Sequence, residues 1–182
     1  MDGVTGRAPL AVPWQRSAGL DGGGRLGGID STPPLDDRPQ SLTDEEQALV
    51  RALGRVIYAL PKAIDADLER EQRMSLSEYM TLVHLSEALG RAMRMSELAE
   101  AVSLSLSGMT HIISRLQADG LVDRVRCAQD GRGWNAVLTG AGLARLRRAW
   151  PTNLHSVRRH LLDHLDGIDL GVLAKAFGDV AG

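Results

Sequence analysis

Ser107, Thr110, His111, Ser114 and Arg115 recur at helical spacing along one stretch of this 182-residue chain. Hydroxyls and an imidazole donate to and accept from base edges, and a guanidinium fork matches guanine O6 and N7 or a phosphate. Further on stand Arg124 and Arg126, alternating about Val125, and then the turn Asp130-Gly131-Arg132-Gly133. Arginines on a strand grip phosphate. An arginine at the tip of a turn enters a narrow minor groove, with Asp130 holding its guanidinium or buttressing the turn. This is the chemistry of holding an anionic duplex rather than of making or breaking bonds. No nucleophile elbow, phosphate-binding glycine loop or zinc-ligand array is present in the sequence, and no carboxylate spacing marks an acid–base pair. The sequence argues against an enzyme and requires no cofactor. Each residue also has a plainer reading. Arg115 can pair with Asp119 at i+4, the polar helix residues can be simple surface, and the strand arginines can bridge to neighbouring helices.

The elements that must position these side chains are legible from caps and periodicity. Thr43 to Glu46 and Ser75 to Glu78 each have a capping-box spacing. The first opens a helix carrying Leu49, Leu53, Val56, Ile57, Leu60, Ile64 and Leu68, which Pro61 is expected to kink or divide. The second opens a helix with Tyr79, Leu82, Val83 and Leu85 inward. Arg91 to Arg94 reads as a brief strand, and Ser96 as the cap of a short helix with Leu98, Ala99 and Val102. Ser103 and Ser105 make a turn, and Ser107 is the expected N-cap of the next helix. That helix turns Met109, Ile112, Ile113 and Leu116 inward and ends at Gly120. Leu121 to Cys127 and Trp134 to Leu138 read as a hairpin. Thr139 caps a long helix that Pro151 is expected to interrupt and whose pattern continues through Leu161, Leu162 and Leu165. A last helix carries Leu170, Leu173, Ala176 and Phe177. The fold class is therefore mainly α with a small β-hairpin wing, a winged helix-turn-helix on a helical base, the unit that places one helix in a DNA major groove.

Hydrophobic content of 43% is enough for a core, and an aromatic content of 3% makes that core aliphatic. No apolar run is long enough to span a membrane, and the N-terminus lacks the pattern of a secretory signal. The single cysteine fits a reducing cytoplasm. The formal net charge is -2, with a pI near 6.2, not a global signature of nucleic-acid binding. The charge is unevenly placed. Segment 30–47 holds Asp30, Asp36, Asp37, Asp44, Glu45 and Glu46 against Arg38, whereas segment 107–148 gathers seven arginines against Asp119, Asp123 and Asp130. A duplex responds to the local patch within a Debye length of roughly 8–10 Å. Residues 1–40, rich in glycine and proline, show no apolar periodicity and read as a disordered extension.

Three other features carry bland and sharp readings. Cys127 in the wing is a candidate redox sensor only if its thiol is exposed and acidified. His160 and His164, four apart with His155 nearby, have a spacing able to hold a metal, but scattered histidines on a helix surface are commoner. Met80, Met93, Met95 and Met109 read as core rather than as a pocket lining.

The segments LSLSGMTHIISRLQADGLVDR and DGRGWNAVLTGAG, in this order of elements, resemble the MarR (multiple antibiotic resistance regulator) family over about residues 41–182. The most specific parts are RLQADGLV at Arg115 to Val122, and Asp130 to Gly142 with its D-x-R and L-T-x-x-G. The resemblance implies a homodimeric, cytoplasmic bacterial transcription regulator, a repressor more often than an activator, whose two lobes bind a pseudo-palindromic double-stranded operator. It also implies intertwined N- and C-terminal helices, and release of DNA by a small, often aromatic, effector. His111 stands where members often carry arginine, and the DGRG tip carries fewer cations than the fuller motif. The expected organisation is an extension at 1–40, an N-terminal dimerisation helix at 41–74, a DNA-binding lobe at 75–139 and C-terminal dimerisation helices at 140–182. The expected DNA contacts are Ser107, Thr110, His111, Ser114, Arg115, Arg124, Arg126, Asp130 and Arg132. A second reading, from another class, is a winged-helix dimer that serves as a protein-interaction module without promoter binding.

Overall fold

The computed structural model describes residues 41–126 and 133–181. Among these residues six α-helices and three short strands follow in the order α1 (Asp44–Gln72), α2 (Leu76–Glu87), β1 (Ala92–Arg94), α3 (Met95–Ala101), α4 (Leu106–Ala118), β2 (Val122–Arg126), β3 (Trp134–Leu138), α5 (Gly140–His160) and α6 (Leu170–Ala181). The strands form one antiparallel sheet in the order β1-β3-β2. Helix α1 lies along α5, and α2, α3 and α4 pack together beside the sheet. The fold is thus a winged helix on a helical base, as the caps and periodicities indicate.

Most helix starts follow from the sequence. Both capping boxes form, with Thr43 accepting from the Glu46 N–H and Ser75 from the Glu78 N–H. The Thr139 hydroxyl accepts from the Gly142 N–H and donates to the Gly120 carbonyl at 2.8 Å, tying the start of α5 to the end of α4. Gly120 has φ +70, the left-handed conformation that glycine takes without a Cβ penalty. Gly142 is constrained by space instead. A Cβ there would collide with the Leu121 carbonyl oxygen and the Leu138 side chain.

Several expectations need correction. Pro61 does not divide α1, nor does Pro151 interrupt α5; both helices run through. Each proline lies on an exposed flank of its helix, and the carbonyl four residues earlier belongs to exposed Ile57 or Arg147 rather than to a core residue. Ser96 does not cap α3. The helix starts at Met95, and the cap position, Arg94, makes no side-chain cap. Helix α5 ends at His160, and His164 sits on a following 3₁₀ turn, so the two histidines do not share a helix face. Among the described residues, no group of three or more His, Cys, Asp or Glu is placed to hold a metal, and no helix is long and apolar enough to cross a membrane.

The core is aliphatic and centred on α2, whose Tyr79, Leu82, Val83 and Leu85 are buried against Leu68, Leu98, Met109, Ile113 and Leu116. Met95 and Met109 are buried and Met80 and Met93 pack against the same core. The first half of α1 behaves differently. Leu49, Val56, Ile57 and Tyr58 are exposed, as are Val172, Phe177 and Val180 of α6.

Polar ties fix the base. Asp67, 4% exposed, sits between α1 and α5. It accepts from Ser156 Oγ at 2.7 Å and from Arg70 at 2.6 Å, and lies 3.0 Å from His160 Nε2. The Ser156 hydroxyl, then Arg70 and His160, hold its carboxyl well below the usual carboxylate range, outweighing the burial that pushes it up. Arg145 of α5 donates to the carbonyl and side chain of Gln72, whose amide donates to Thr152 at 2.9 Å. Burial and the nearby Arg148 lower the Arg145 pKa.

A carboxylate whose folded pKa is depressed contributes stability above its unfolded pKa, about 4, and loses it as pH falls toward the folded value. Asp67→Asn is therefore expected to destabilise at neutral pH by roughly 1.5–3 kcal/mol, the range for hydrogen bonds to charged groups. In urea melts from pH 7 to pH 3, the gap from wild type should narrow once pH drops below about 4. A gap that stays constant across this range would contradict the role given to Asp67.

Candidate nucleic-acid interface

Helices α3 and α4 are joined by a tight turn at Val102 to Ser105, in which Ser103 takes φ +55 and the Leu104 N–H donates to the Ala99 carbonyl at 2.8 Å. The N-cap of α4 is Ser105, not Ser107: the Ser105 hydroxyl accepts from the Gly108 N–H at 3.1 Å. Ser107 falls inside the first turn, with its hydroxyl 3.0 Å from that of Ser105. The three serines of this run are chemically equivalent at spacing two. The phase is set by Met109, Ile113 and Leu116, which are buried.

That burial orients the opposite face. Ser107, Thr110, His111, Ser114 and Arg115 are all exposed on α4, as the spacing requires. Thr110 and Ser114 each donate to the carbonyl four residues earlier, to Leu106 and Thr110, both at 2.8 Å. Their hydroxyl oxygens still have lone pairs free for a donor. Arg115 does not pair with Asp119. It reaches α2, where its Nη2 lies 3.1 Å from Oε1 of Glu78. The plain reading of Arg115 as an ion-pair partner therefore holds with a partner that i+4 arithmetic cannot find.

The wing places its arginines differently from one another. Arg124 faces Ala136 across the hairpin, and Arg126 faces Trp134. Arg126 lies over the Trp134 ring with its guanidinium carbon 5.2 Å from the centroid, a cation–π arrangement. Arg124 is half-buried, and among the described residues its Nε has no hydrogen-bond partner. With Arg94, Ser96, Thr110 and Trp134 it lines a cleft of about 240 Å³ between the wing base and the first turns of α4. The structure therefore brings Thr110 and Arg124 to one cleft, and adds Arg94 and Ser96, which spacing alone does not nominate. Their signal in the sequence is only that a strand at Ala92 to Arg94 must pair somewhere, and it pairs with β3. Asp130, Arg132 and Cys127 lie outside the described residues.

Comparison with known proteins bears on this geometry. Residues 74–133, from the start of α2 into the wing, match the profile of the MarR family. AbsC, a MarR family transcriptional regulator from Streptomyces coelicolor, is 40% identical, covers 79% of this chain and 96% of its own, and superposes with a TM-score of 0.69. Sco3205, a MarR family transcriptional regulator from the same organism solved in complex with DNA, is 34% identical over 80% of this chain and 91% of its own, with a TM-score of 0.71. BldR from Sulfolobus solfataricus, at 22% identity and a TM-score of 0.66 over 76% of this chain and 95% of its own, shares the fold. No curated protein sequence matches significantly.

The cap assignment has a direct check. Ser105→Ala should cost about 0.5–2 kcal/mol in urea denaturation, the usual cost of losing an N-cap. Ser107→Ala should stay within about 0.5 kcal/mol of wild type, as surface substitutions do. The reverse ranking would move the start of α4.

Proposed function

The chain belongs to the MarR family of winged helix-turn-helix transcription regulators, and on that premise we propose that it is a homodimeric, sequence-specific DNA-binding regulator, a repressor released by a small-molecule effector. The observation that carries this reading is the division of α4 into a buried apolar stripe and an exposed polar one. Thr110, His111 and Ser114 read base edges in the major groove. Arg115 contacts phosphate or a guanine edge, and Ser107 donates to phosphate. Arg124 and Arg126 follow the backbone at the wing base, and Arg132, steadied by Asp130, enters the flanking minor groove. That Sco3205 is found in complex with DNA supports DNA as the partner.

The base of the fold supports a dimer. Leu49 and Ile57 of α1, 65% and 58% exposed, and Val172 and Val180 of α6, 67% and 83% exposed, form apolar faces left uncovered in one chain. Several large apolar side chains exposed along one helix are a common mark of an interaction site. A two-fold dimer covers each face with its symmetry mate and sets two recognition helices about one helical turn apart on a pseudo-palindrome. In this reading residues 41–74 and 140–182 form the dimerisation region and 75–139 the DNA-binding lobe. An aromatic effector acts through its differential affinity for the free and DNA-bound arrangements of the two lobes.

Two outcomes are expected. Sedimentation should give twice the 19.6 kDa chain mass, and Ile57→Glu should shift it toward the monomer. Selection from random-sequence duplexes should enrich a two-fold-related site whose log affinity falls linearly with log salt. Arg132→Ala should lower that slope by about 1 for each phosphate that the variant no longer neutralises. A monomeric wild type would sink the dimer, and an unchanged slope would remove Arg132 from the interface.

A further inference from the structure

Given the DNA-binding reading above, we infer that Glu78 is a positioning residue for the recognition face: it acts through Arg115 to set sequence discrimination without touching DNA. The two oxygens of this carboxylate do different work. Oε2 accepts from the Ser75 N–H at 2.9 Å and closes the capping box of α2. Oε1 takes Nη2 of Arg115 at 3.1 Å, across from α2 to α4. The cap itself is satisfied equally by glutamine, and the dipole of α2 favours a negative charge in its first turn only modestly. The side chain of Glu78 is 7% exposed, and such a carboxylate is costly without a cation. Arg115, itself 57% exposed, supplies the cation in direct contact, and Arg145 of α5 adds a longer-range attraction.

This asymmetry gives the pair its consequence. A guanidinium carries five N–H donors in one rigid plane, so fixing one nitrogen fixes the direction of the others. Arg115 stands one turn beyond His111 on the outer side of α4, with its remaining donors free to meet a base edge or phosphate. Tethered to Glu78, it enters the groove already oriented and loses less rotamer entropy on docking than an untethered arginine would. The same carboxylate offsets part of the attraction of Arg115 for any phosphate. Glu78 thereby favours the correct site and disfavours the rest, which is how specificity is built from both attraction and its restraint.

The test measures wild type, Glu78→Gln, Arg115→Ala and the double variant on two duplexes. One is the duplex enriched by wild type from random sequence, and the other is a scrambled duplex of equal composition. Melting temperatures are recorded alongside. Glu78→Gln retains the Ser75 cap, and its ratio of specific to scrambled affinity is expected to fall roughly 10-fold, within the range of one bidentate contact. Affinity for the scrambled duplex should not fall. In the Arg115→Ala background, Glu78→Gln should change the ratio no further, the non-additivity of two residues acting as one unit. An unchanged ratio in the single variant, or an equal drop in both backgrounds, overturns the inference. Should Glu78→Gln fail to fold, Arg115→Lys carries the test. It keeps Glu78 paired but has no second N–H edge, so undiminished discrimination would overturn the inference equally. A wild type that enriches no duplex removes the DNA-binding reading and this inference together. Enrichment with an unchanged Glu78→Gln ratio removes the inference alone.

Discussion

The structure depends on one stripe of side chains. Met109, Ile113 and Leu116 are buried against α2 and α3, and this fixes the rotation of α4 about its own axis. A helix of 13 residues is marginal in water by itself, so its stability comes from that stripe. Once the stripe is buried, geometry leaves no choice for the rest. Thr110, His111, Ser114 and Arg115 must face outward, whatever they contact. The wing follows from the same packing. Thr139 bonds both to the last turn after α4 and to the first turn of α5, and Gly142 lets α5 pass close beneath Leu121. The recognition helix, the hairpin and the long helix behind them are set by neighbouring contacts at one junction.

Two buried carboxylates tie the layers that hydrophobic contact leaves free to slide. Asp67 joins α1 to the last turns of α5 through Ser156 and His160. Glu78 joins α2 to α4 through Arg115. Each has its charge compensated by exposed arginines, so neither stands as an unpaired charge in the interior. Such pairs add little to net stability, because desolvation offsets much of their attraction, but removing one partner leaves a costly buried charge. In a protein whose proposed work depends on where two helices stand relative to a groove, a unique arrangement matters more than a deep energy minimum.

Much of this is legible in the sequence, and the failures have physical causes. The caps at Thr43, Ser75 and Thr139 and the stop at Gly120 rest on local chemistry, so residue types alone reveal them. The cap of α4 escapes such reading because Ser103, Ser105 and Ser107 offer the same hydroxyl at alternate positions, and only tertiary packing selects the phase. Pro61 and Pro151 are poor guides to helix ends because each lies on an exposed flank of a helix that continues on both sides of it. The spacing of His160 and His164 misleads because it implies a shared face only where the helix continues, and α5 stops at His160. The partner of Arg115 lies on another helix, beyond the reach of i+4 arithmetic. The apolar pattern of α1 is visible, but the sequence does not show that its first half finds no cover within the chain.

The central claim is that the exposed face of α4 occupies the major groove of a duplex. Dimethyl sulfate protection on the duplex enriched by the protein reads this most directly, because the reagent methylates guanine N7 on the major-groove edge. The account predicts two protected patches separated by about one helical turn, roughly 10 bp, one for each copy of α4. Tight, specific binding with every guanine N7 still reactive would contradict it and would place the contact on another surface of the fold.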